Sequence, residues 1–177
     1  MMNRACPHQS SSRPSEAGFS LIELIAVLVL LGILGAGATL CLSNVITGYT
    51  NSKLAAATVS KGQLAMLRLS REFRVISQVT AASANSITFV AMHGDGSSKT
   101  YTVSQSGKTI TMNDGNGNND ALTDQVTSLA LAYFDSYNSA AQTTWSATRR
   151  LIQLTITMNG PNGMTFAFVT RVTPRNI

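Results

Sequence analysis

Glu23 is an ionisable residue close to the start of a long apolar run, which extends from Phe19 to Leu42. If the run enters a membrane, a carboxylate there costs on the order of 2–3 kcal/mol by insertion scales. The side chain could reach back to the lipid headgroups, or it could meet a cation that neutralises it. The position therefore predicts either an interfacial carboxylate or an electrostatic assembly site.

The two histidines, His8 and His93, offer little for catalysis. His93 stands with Asp95 and Ser97 in one short turn-forming segment. Nucleophilic catalysis needs a buried base that a third group holds in place, and neighbours on one turn do not supply that arrangement. We therefore predict that the chain is not an enzyme.

A second polar segment, residues 113–120, alternates oxygen-bearing side chains as a calcium loop does. Asp114, Asn116 and Asn118 could supply oxygen ligands, and Asp120 follows them. The sixth position of the loop lacks the usual glycine, and the twelfth lacks the usual acid. Asn and Gly also form polar connections easily, because they tolerate positive φ. We predict no cofactor and keep calcium as the alternative.

Composition and charge argue against several other classes. Charged residues make up 12% of the 177 residues, below the roughly 25% of an average globular domain, which suits an exported protein. The formal net charge of +5 could serve nucleic acid or an anionic membrane surface. Aromatic residues do not alternate with basic ones as in a nucleic-acid groove, so nucleic acid is not a predicted partner. Cys6 and Cys41 form neither a CxxC motif nor a metal-binding spacing.

The apolar run is long enough to cross a bilayer, since residues 20–43 exceed the required length of about 20 apolar residues. It is too long for the core of an ordinary secretory signal. Arg4 and Arg13 precede the run, and the next basic residue is Lys53. This asymmetry predicts a cytoplasmic N-terminus and a periplasmic remainder.

We predict one long helix from about Ser20 to about Ser77, whose second half is soluble. Apolar residues recur in that half at steps of three and four, the helical period. They are Val59, Gly62, Met66, Leu69, Phe73 and Ile76. The weak helix formers Gly48 and Asn51 indicate a break or bend between the halves. The arginines of residues 68–74 fall off the stripe and form either a partner interface or a solvated face.

After Ser77 the apolar period changes to two, which predicts about six antiparallel strands. These are Ser86–Met92, Thr100–Ser104, Lys108–Met112, Val126–Asp135, Arg150–Met158 and Thr165–Val172. Ser106-Gly107 and residues 159–163 are typical of turns. Residues 136–149 form a polar loop that could contact a partner or be unstructured. The predicted fold class is α+β, with the long N-terminal helix packed on an antiparallel β-sheet.

The segment Gly18–Leu24, GFSLIEL, resembles the class III signal of type IV prepilins and type II secretion pseudopilins. In that family a prepilin peptidase cuts after the glycine and methylates the new N-terminal residue. The resemblance implies a cut between Gly18 and Phe19, N-methylation of Phe19, and an assembly role for Glu23. The partner of Glu23 would be the amino group of Phe19 on a neighbouring subunit. The chain departs from the pattern in its long leader and in lacking Lys or Arg directly before the glycine.

The C-terminal half resembles the J-type minor pseudopilins and related minor pilins more loosely. The similar segments are residues 124–129, 133–135, 150–154 and 172–176. The family implies a cleaved leader, a transmembrane helix half, a soluble helix half and a periplasmic β-rich pilin-like domain. We assign these to residues 1–18, 19–43, 44–78 and 79–177.

The resemblance implies a structural subunit of the bacterial inner membrane that enters a periplasmic filament. The first expectation is a type II secretion pseudopilus, which supports protein export across the outer membrane. The alternatives are a minor pilin of a type IV pilus, acting in adhesion, motility or DNA uptake, and a monomeric membrane-anchored binding protein. Implied partners are other pilin or pseudopilin subunits, the prepilin peptidase, the membrane and the inner-membrane assembly platform.

Overall fold

The computed structural model describes residues 18–177; the predicted leader residues 1–17 lie outside the described part of the chain. Within these residues one α-helix precedes eight strands, and a 3-10 helix, Pro161–Gly163, lies between the last two of them, which confirms the predicted α+β class. The elements are α1 (Leu21–Arg74), β1 (Ile76–Ala82), β2 (Ser86–Met92), β3 (Ser98–Ser106), β4 (Thr109–Asn113), β5 (Asn119–Thr123), β6 (Val126–Phe134), β7 (Leu151–Asn159) and β8 (Thr165–Val172). The chain divides into two compact units, of which the first ends at Ile46 and the second spans Thr47–Ile177.

The first unit contains the N-terminal part of α1, and every described residue in it is exposed. Its large apolar side chains keep between 48% (Val27) and 82% (Phe19) of their surface accessible. The most apolar window of α1 has a mean hydropathy of 2.6, so the helix is long and apolar enough to cross a membrane. An apolar surface of this extent is typical of a segment that lipid or other protein chains cover.

In the second unit, α1 packs on the sheets through one face. The buried residues are Thr58, Gly62, Ala65, Met66, Leu69 and Phe73. Their spacing confirms the predicted stripe from Gly62 to Phe73. Val59 was expected on this face but is only half-buried, and Thr58 lies there instead. The Thr58 hydroxyl donates to the Leu54 carbonyl at 3.0 Å, which satisfies its polar group inside the packed face.

Gly62 marks the closest approach of α1 to the second sheet. A Cβ at this position would lie 2.3 Å from a ring carbon of Phe168 and 2.9 Å from the sulfur of Met158. A larger side chain would therefore force these two residues aside. Gly62 is thus the residue that lets α1 contact β7 and β8.

The predicted end of the helix is wrong by a few residues. α1 ends at Arg74 instead of Ser77, because the chain enters the first sheet at Ile76, which already pairs with Ala91 of β2. Ile76 continues the helical spacing of apolar residues, so the spacing alone did not reveal the change. A break at Gly48 and Asn51 is also wrong, since α1 continues through them, while the alternative of a bend there stays a prediction.

The strands form two antiparallel sheets where a single sheet was expected. The first has the order β1-β2-β3-β4-β5 and the second β6-β7-β8. The six predicted strands are confirmed as β2, β3, β4, β6, β7 and β8, with small shifts at their ends. β1 and β5 are additional. Ser, Gln and Ala obscure the alternation in β1, and Asn119 and Asp120 of β5 read as part of a polar connection.

The two sheets and the helix share one core. Phe73 of α1 packs edge-to-face on Phe89 of β2, with ring centroids 5.4 Å apart. The N–H of Leu131 in β6 donates to the carbonyl of Ala84, in the connection between β1 and β2, at 2.6 Å, which ties the second sheet to that connection of the first. The same buried cluster includes residues from α1 and from both sheets. The second unit is thus one packed body.

Two of the predicted turn and loop segments have defined conformations in the structure. β3 and β4 are joined by a two-residue turn in which Gly107 has φ of +59°, a conformation that glycine adopts without strain. Residues 136–149 fold back onto β6, where Gln142 forms a bridge to Tyr133. Trp145 packs edge-to-face on Tyr133 at 5.7 Å. The alternative of an unstructured loop is therefore wrong.

Candidate functional site

The candidate site is the start of α1, where Ser20 forms the N-cap. The backbone N–H of Glu23 donates to the Ser20 hydroxyl oxygen at 3.3 Å. The N–H groups of Glu23 and Leu24 also donate to the Ser20 carbonyl at 3.1 and 3.2 Å. These bonds satisfy amides that the first helical turn leaves free. Ser20 was not among the predicted site residues, although Ser-x-x-Glu is a sequence signature of a helix start.

A shallow groove on this turn brings two of the predicted site residues together. It is lined by Phe19, Glu23, Leu24, Val27 and Leu28. Phe19 precedes the helix, so the bond between Gly18 and Phe19 lies outside α1. Gly18 and Phe19 are both exposed, and a Cβ at Gly18 would meet no atom of the described residues within 4 Å. The arrangement places an exposed peptide bond four residues before a carboxylate.

The carboxylate of Glu23 has no ion-pair partner within residues 18–177. Its place in the first helical turn is favourable, because a negative charge near a helix N-terminus gains typically 0.3–1 kcal/mol when exposed. That gain is smaller than the cost of an unpaired charge among apolar groups. A cation from outside the described residues would offset this cost if apolar material covers the groove.

Beyond this groove the helix presents small residues as well as large ones. A Cβ built at Gly32, Gly35 or Gly37 would meet no atom within 4 Å. Such positions let the backbone of another helix approach closely in a membrane. Cys41 lies farther along as a free, exposed thiol.

A comparison with known families bears directly on this segment. Residues 13–39 match the family model described as the prokaryotic N-terminal methylation motif. The N-terminal segment is therefore similar to that of type IV prepilin-like proteins. The match covers Gly18, Phe19 and Glu23 together with the first turns of α1, and it carries no information on the J-type subtype. No curated protein and no solved structure matches the chain.

The predicted histidine segment forms the loop between β2 and β3. Asp95 accepts hydrogen bonds from the Ser97 N–H at 2.9 Å and the Ser97 hydroxyl at 2.6 Å, which lower the pKa of its carboxyl. His93 turns toward α1, where its Nε2 lies 3.4 Å from an oxygen of Glu72. Asp95 therefore binds its own loop, while His93 contacts the helix. The prediction that the chain is not an enzyme stays a prediction.

The candidate calcium residues occupy the connection between β4 and β5. Asp114 accepts a hydrogen bond from the Asn116 N–H at 3.0 Å, the main cause of its lowered pKa, and another from the Asn118 amide at 3.2 Å. Asp120 lies in β5, where an oxygen is 3.9 Å from Arg68. Asp114 and Asp120 thus have separate protein partners. The calcium alternative remains a prediction.

Proposed function

We propose that this chain is a structural subunit that is trimmed at its N-terminus and assembles with other pilin-like subunits into a membrane-derived filament. One observation carries the proposal: the methylation motif opens a helix whose first part, residues 21–46, exposes all of its apolar residues. A helix of this kind needs lipid before assembly and other apolar helices after it. The chain would act through assembly, without catalysis of its own.

In this proposal the prepilin peptidase cuts between Gly18 and Phe19 and methylates the amino group of Phe19. The position of both residues before α1 supports this, because a protease needs extended backbone that it can reach. The cut would leave Phe19, Ser20 and the capped first turn as the new N-terminus. The removed residues would include Cys6, so Cys41 would be the cysteine of the mature chain.

Glu23 then acts as the assembly residue, by pairing with the amino group of Phe19 on a neighbouring subunit. A buried cation and carboxylate neutralise each other, whereas removing one partner of such a pair costs about 3–5 kcal/mol. The missing partner of Glu23 within residues 18–177 supports a pairing between chains. The pair would favour one axial stagger of the subunits over others.

The proposed orientation places the N-terminus in the cytoplasm and residues 47–177 in the periplasm. It rests on Arg4 and Arg13 before the apolar run, since basic residues favour the cytoplasmic side. The inner-membrane assembly platform would then receive the subunit from the membrane. The finer assignment is a J-type minor pseudopilin of a type II secretion system, supported by the loose resemblance of residues 124–176.

The assembly proposal is tested by replacing Glu23 with valine in cells that express the other pilin-like subunits. Membrane insertion should be retained, because valine suits an apolar helix better than glutamate. Co-purification with the other subunits should fall about tenfold or more, since the loss of one charge leaves the other buried. Ile22→Val is the matched control, because it introduces valine in the same helical turn, removes no charge and lies outside the groove.

Glu23→Asp refines the same test, because it keeps the charge and shortens the side chain. It should assemble better than Glu23→Val. Unchanged co-purification of Glu23→Val would mean that Glu23 only reaches the lipid headgroups. A chain that never co-purifies with pilin-like subunits would favour the monomeric binding protein. Deletion of the gene then separates the two filaments: lost protein export supports a secretion pseudopilus, and lost surface pili support a type IV pilus.

A further inference from the structure

The outer side of β8 is an open sheet edge. β8 stands at the end of the order β6-β7-β8 and pairs with β7 over its whole length, Thr165–Val172. The register between the two strands has no shift, so β8 is regular throughout. The N–H and C=O groups that point away from β7 therefore form a row that can pair with a further strand.

The other sheet edges of the described residues are each protected. β1 pairs with β2 through two register shifts, and β5 is short, carries Asp120 and has a shift against β4. The outer edge of β6 is occupied, since Leu131 donates to Ala84 and Tyr133 exchanges two hydrogen bonds with Gln142. Irregularity, charge and covering segments are the means by which proteins block unwanted strand pairing. β8 has none of them over residues 165–170, and its one charged residue is Arg171.

A groove, here named the β8 groove, runs between this edge and α1. Its walls include Met66, Leu67 and Arg74 of α1 and residues 167–170 of β8. Leu67 is 73% exposed and Val169 is 60% exposed, although both are large and apolar. An open edge beside a groove that exposes apolar side chains is the arrangement by which sheets bind extended peptides, with backbone bonds for affinity and pockets for alternate side chains.

Arg74 gives the β8 groove a charge at one end. Its side chain makes no hydrogen bond or ion pair with the residues that the structure describes, whereas Lys61 pairs with Asp124 at 2.7 Å. The groove has no acidic residue among its walls, and β8 itself has none. A second copy of β8 would therefore bring no counter-charge to Arg74. Charge complementarity favours an occupant with a carboxylate at this end.

We propose that β8 binds an extended segment of another protein by strand addition. The segment would place apolar side chains at alternate positions in the β8 groove and an acidic residue beside Arg74. This recognition goes beyond filament assembly through α1, because it uses the sheet edge of the second unit. Its failure would leave the role of Glu23 untouched, and the failure of the Glu23 test would leave this one untouched.

The test uses the full chain in detergent micelles and fluorescent synthetic peptides of about nine residues, a usual strand length. The peptides alternate valine and threonine and carry two glutamates at one end. A second version carries the glutamates at the other end, so that a glutamate can lie beside Arg74 whether the peptide runs parallel or antiparallel to β8. Fluorescence anisotropy should show saturable binding of one version, and none when alternate backbone nitrogens of that peptide are methylated.

Charge reversal then tests the place of binding. Arg74→Glu should weaken binding of the glutamate peptide roughly two- to fivefold, the range of an exposed ion pair, and strengthen binding of a lysine version. Arg71→Glu is the matched control, since Arg71 lies on the same helix and outside the β8 groove. Val169→Lys should weaken both peptides, because a charge at an edge strand opposes pairing.

Four results would overturn the proposal. The first is that neither peptide version binds, and the second is that the methylated peptide binds as tightly as the unmethylated one. The third is that Arg71→Glu changes binding as much as Arg74→Glu. The fourth is that the chain self-associates in sedimentation experiments and Val169→Lys abolishes that association, which would assign the edge to a second copy.

Discussion

Replacing Leu69 with alanine should strongly destabilise the second unit, whereas the same replacement at Leu67 should not. Leu69 is fully buried between α1 and the sheets, and Leu67 is 73% exposed on the opposite side of the same helical turn. The two positions share a helix, a residue type and a substitution. The difference between them therefore measures burial against the sheets and little else.

The magnitude follows from what the buried side chain loses. Alanine removes about three carbon groups, each worth roughly 0.8 kcal/mol of transfer free energy. The cavity left behind adds to this, and buried Leu→Ala replacements cost about 2.7–5.0 kcal/mol in a well-studied series. We expect about 3–4 kcal/mol at Leu69. An exposed replacement away from such packing stays within about 0.5 kcal/mol, which is the expectation for Leu67.

Urea unfolding of the full chain in detergent provides the assay, with the single tryptophan, Trp145, as the probe of the second unit. Trp145 is half-buried against Tyr133, so its fluorescence should change when the core opens. With a urea slope of about 2 kcal/mol per molar, Leu69→Ala should lower the midpoint by roughly 1.5–2 M. Equal shifts for Leu69→Ala and Leu67→Ala would refute the assignment of the buried face of α1.

Two further predictions concern polar groups of the second unit. Tyr133→Phe should cost about 1 kcal/mol, measured by the same urea unfolding, because the buried hydroxyl donates to the Ser83 carbonyl at 3.0 Å. Asp135 should contribute to stability near neutral pH and lose that contribution in acid. Its pKa is lowered by a hydrogen bond from Thr148 and then by one from Arg149, so the stabilisation is present above the unfolded-state pKa and fades as the pH falls through the lower folded-state value. Asp135→Asn should remove this acid-dependent loss, and an unchanged stability-versus-pH curve in that variant would contradict the role of Asp135.

The long helix and most strands could be predicted from the sequence because their signals are local. The step of three and four residues from Gly62 to Phe73 identifies the buried face without knowledge of the sheets. The same signal fails at Ile76, because the helical spacing continues to this residue although its backbone pairs with Ala91 of β2. β5 was hidden for a related reason, because Asn119 and Asp120 favour a loop unless a neighbouring strand, here β4, supplies their pairing.

The sequence alone indicated which family the start of α1 resembles, because the residues of the motif are contiguous. The match over residues 13–39 confirms that level, while the roles of Gly18, Phe19 and Glu23 stay predictions. The open edge of β8 could not be predicted. Whether a strand lies at an edge depends on the strand order of the whole sheet, and the groove beside it depends on how closely Gly62 lets α1 approach.

Mass spectrometry of the chain, purified from the membranes of cells with an active prepilin peptidase, tests the central claim most directly. The purified protein should begin at Phe19 and carry one methyl group on its amino nitrogen. A Gly18→Val variant from the same cells should keep its leader. A wild-type chain that still begins at Met1 or Met2, or that is cut at another bond, would contradict the account.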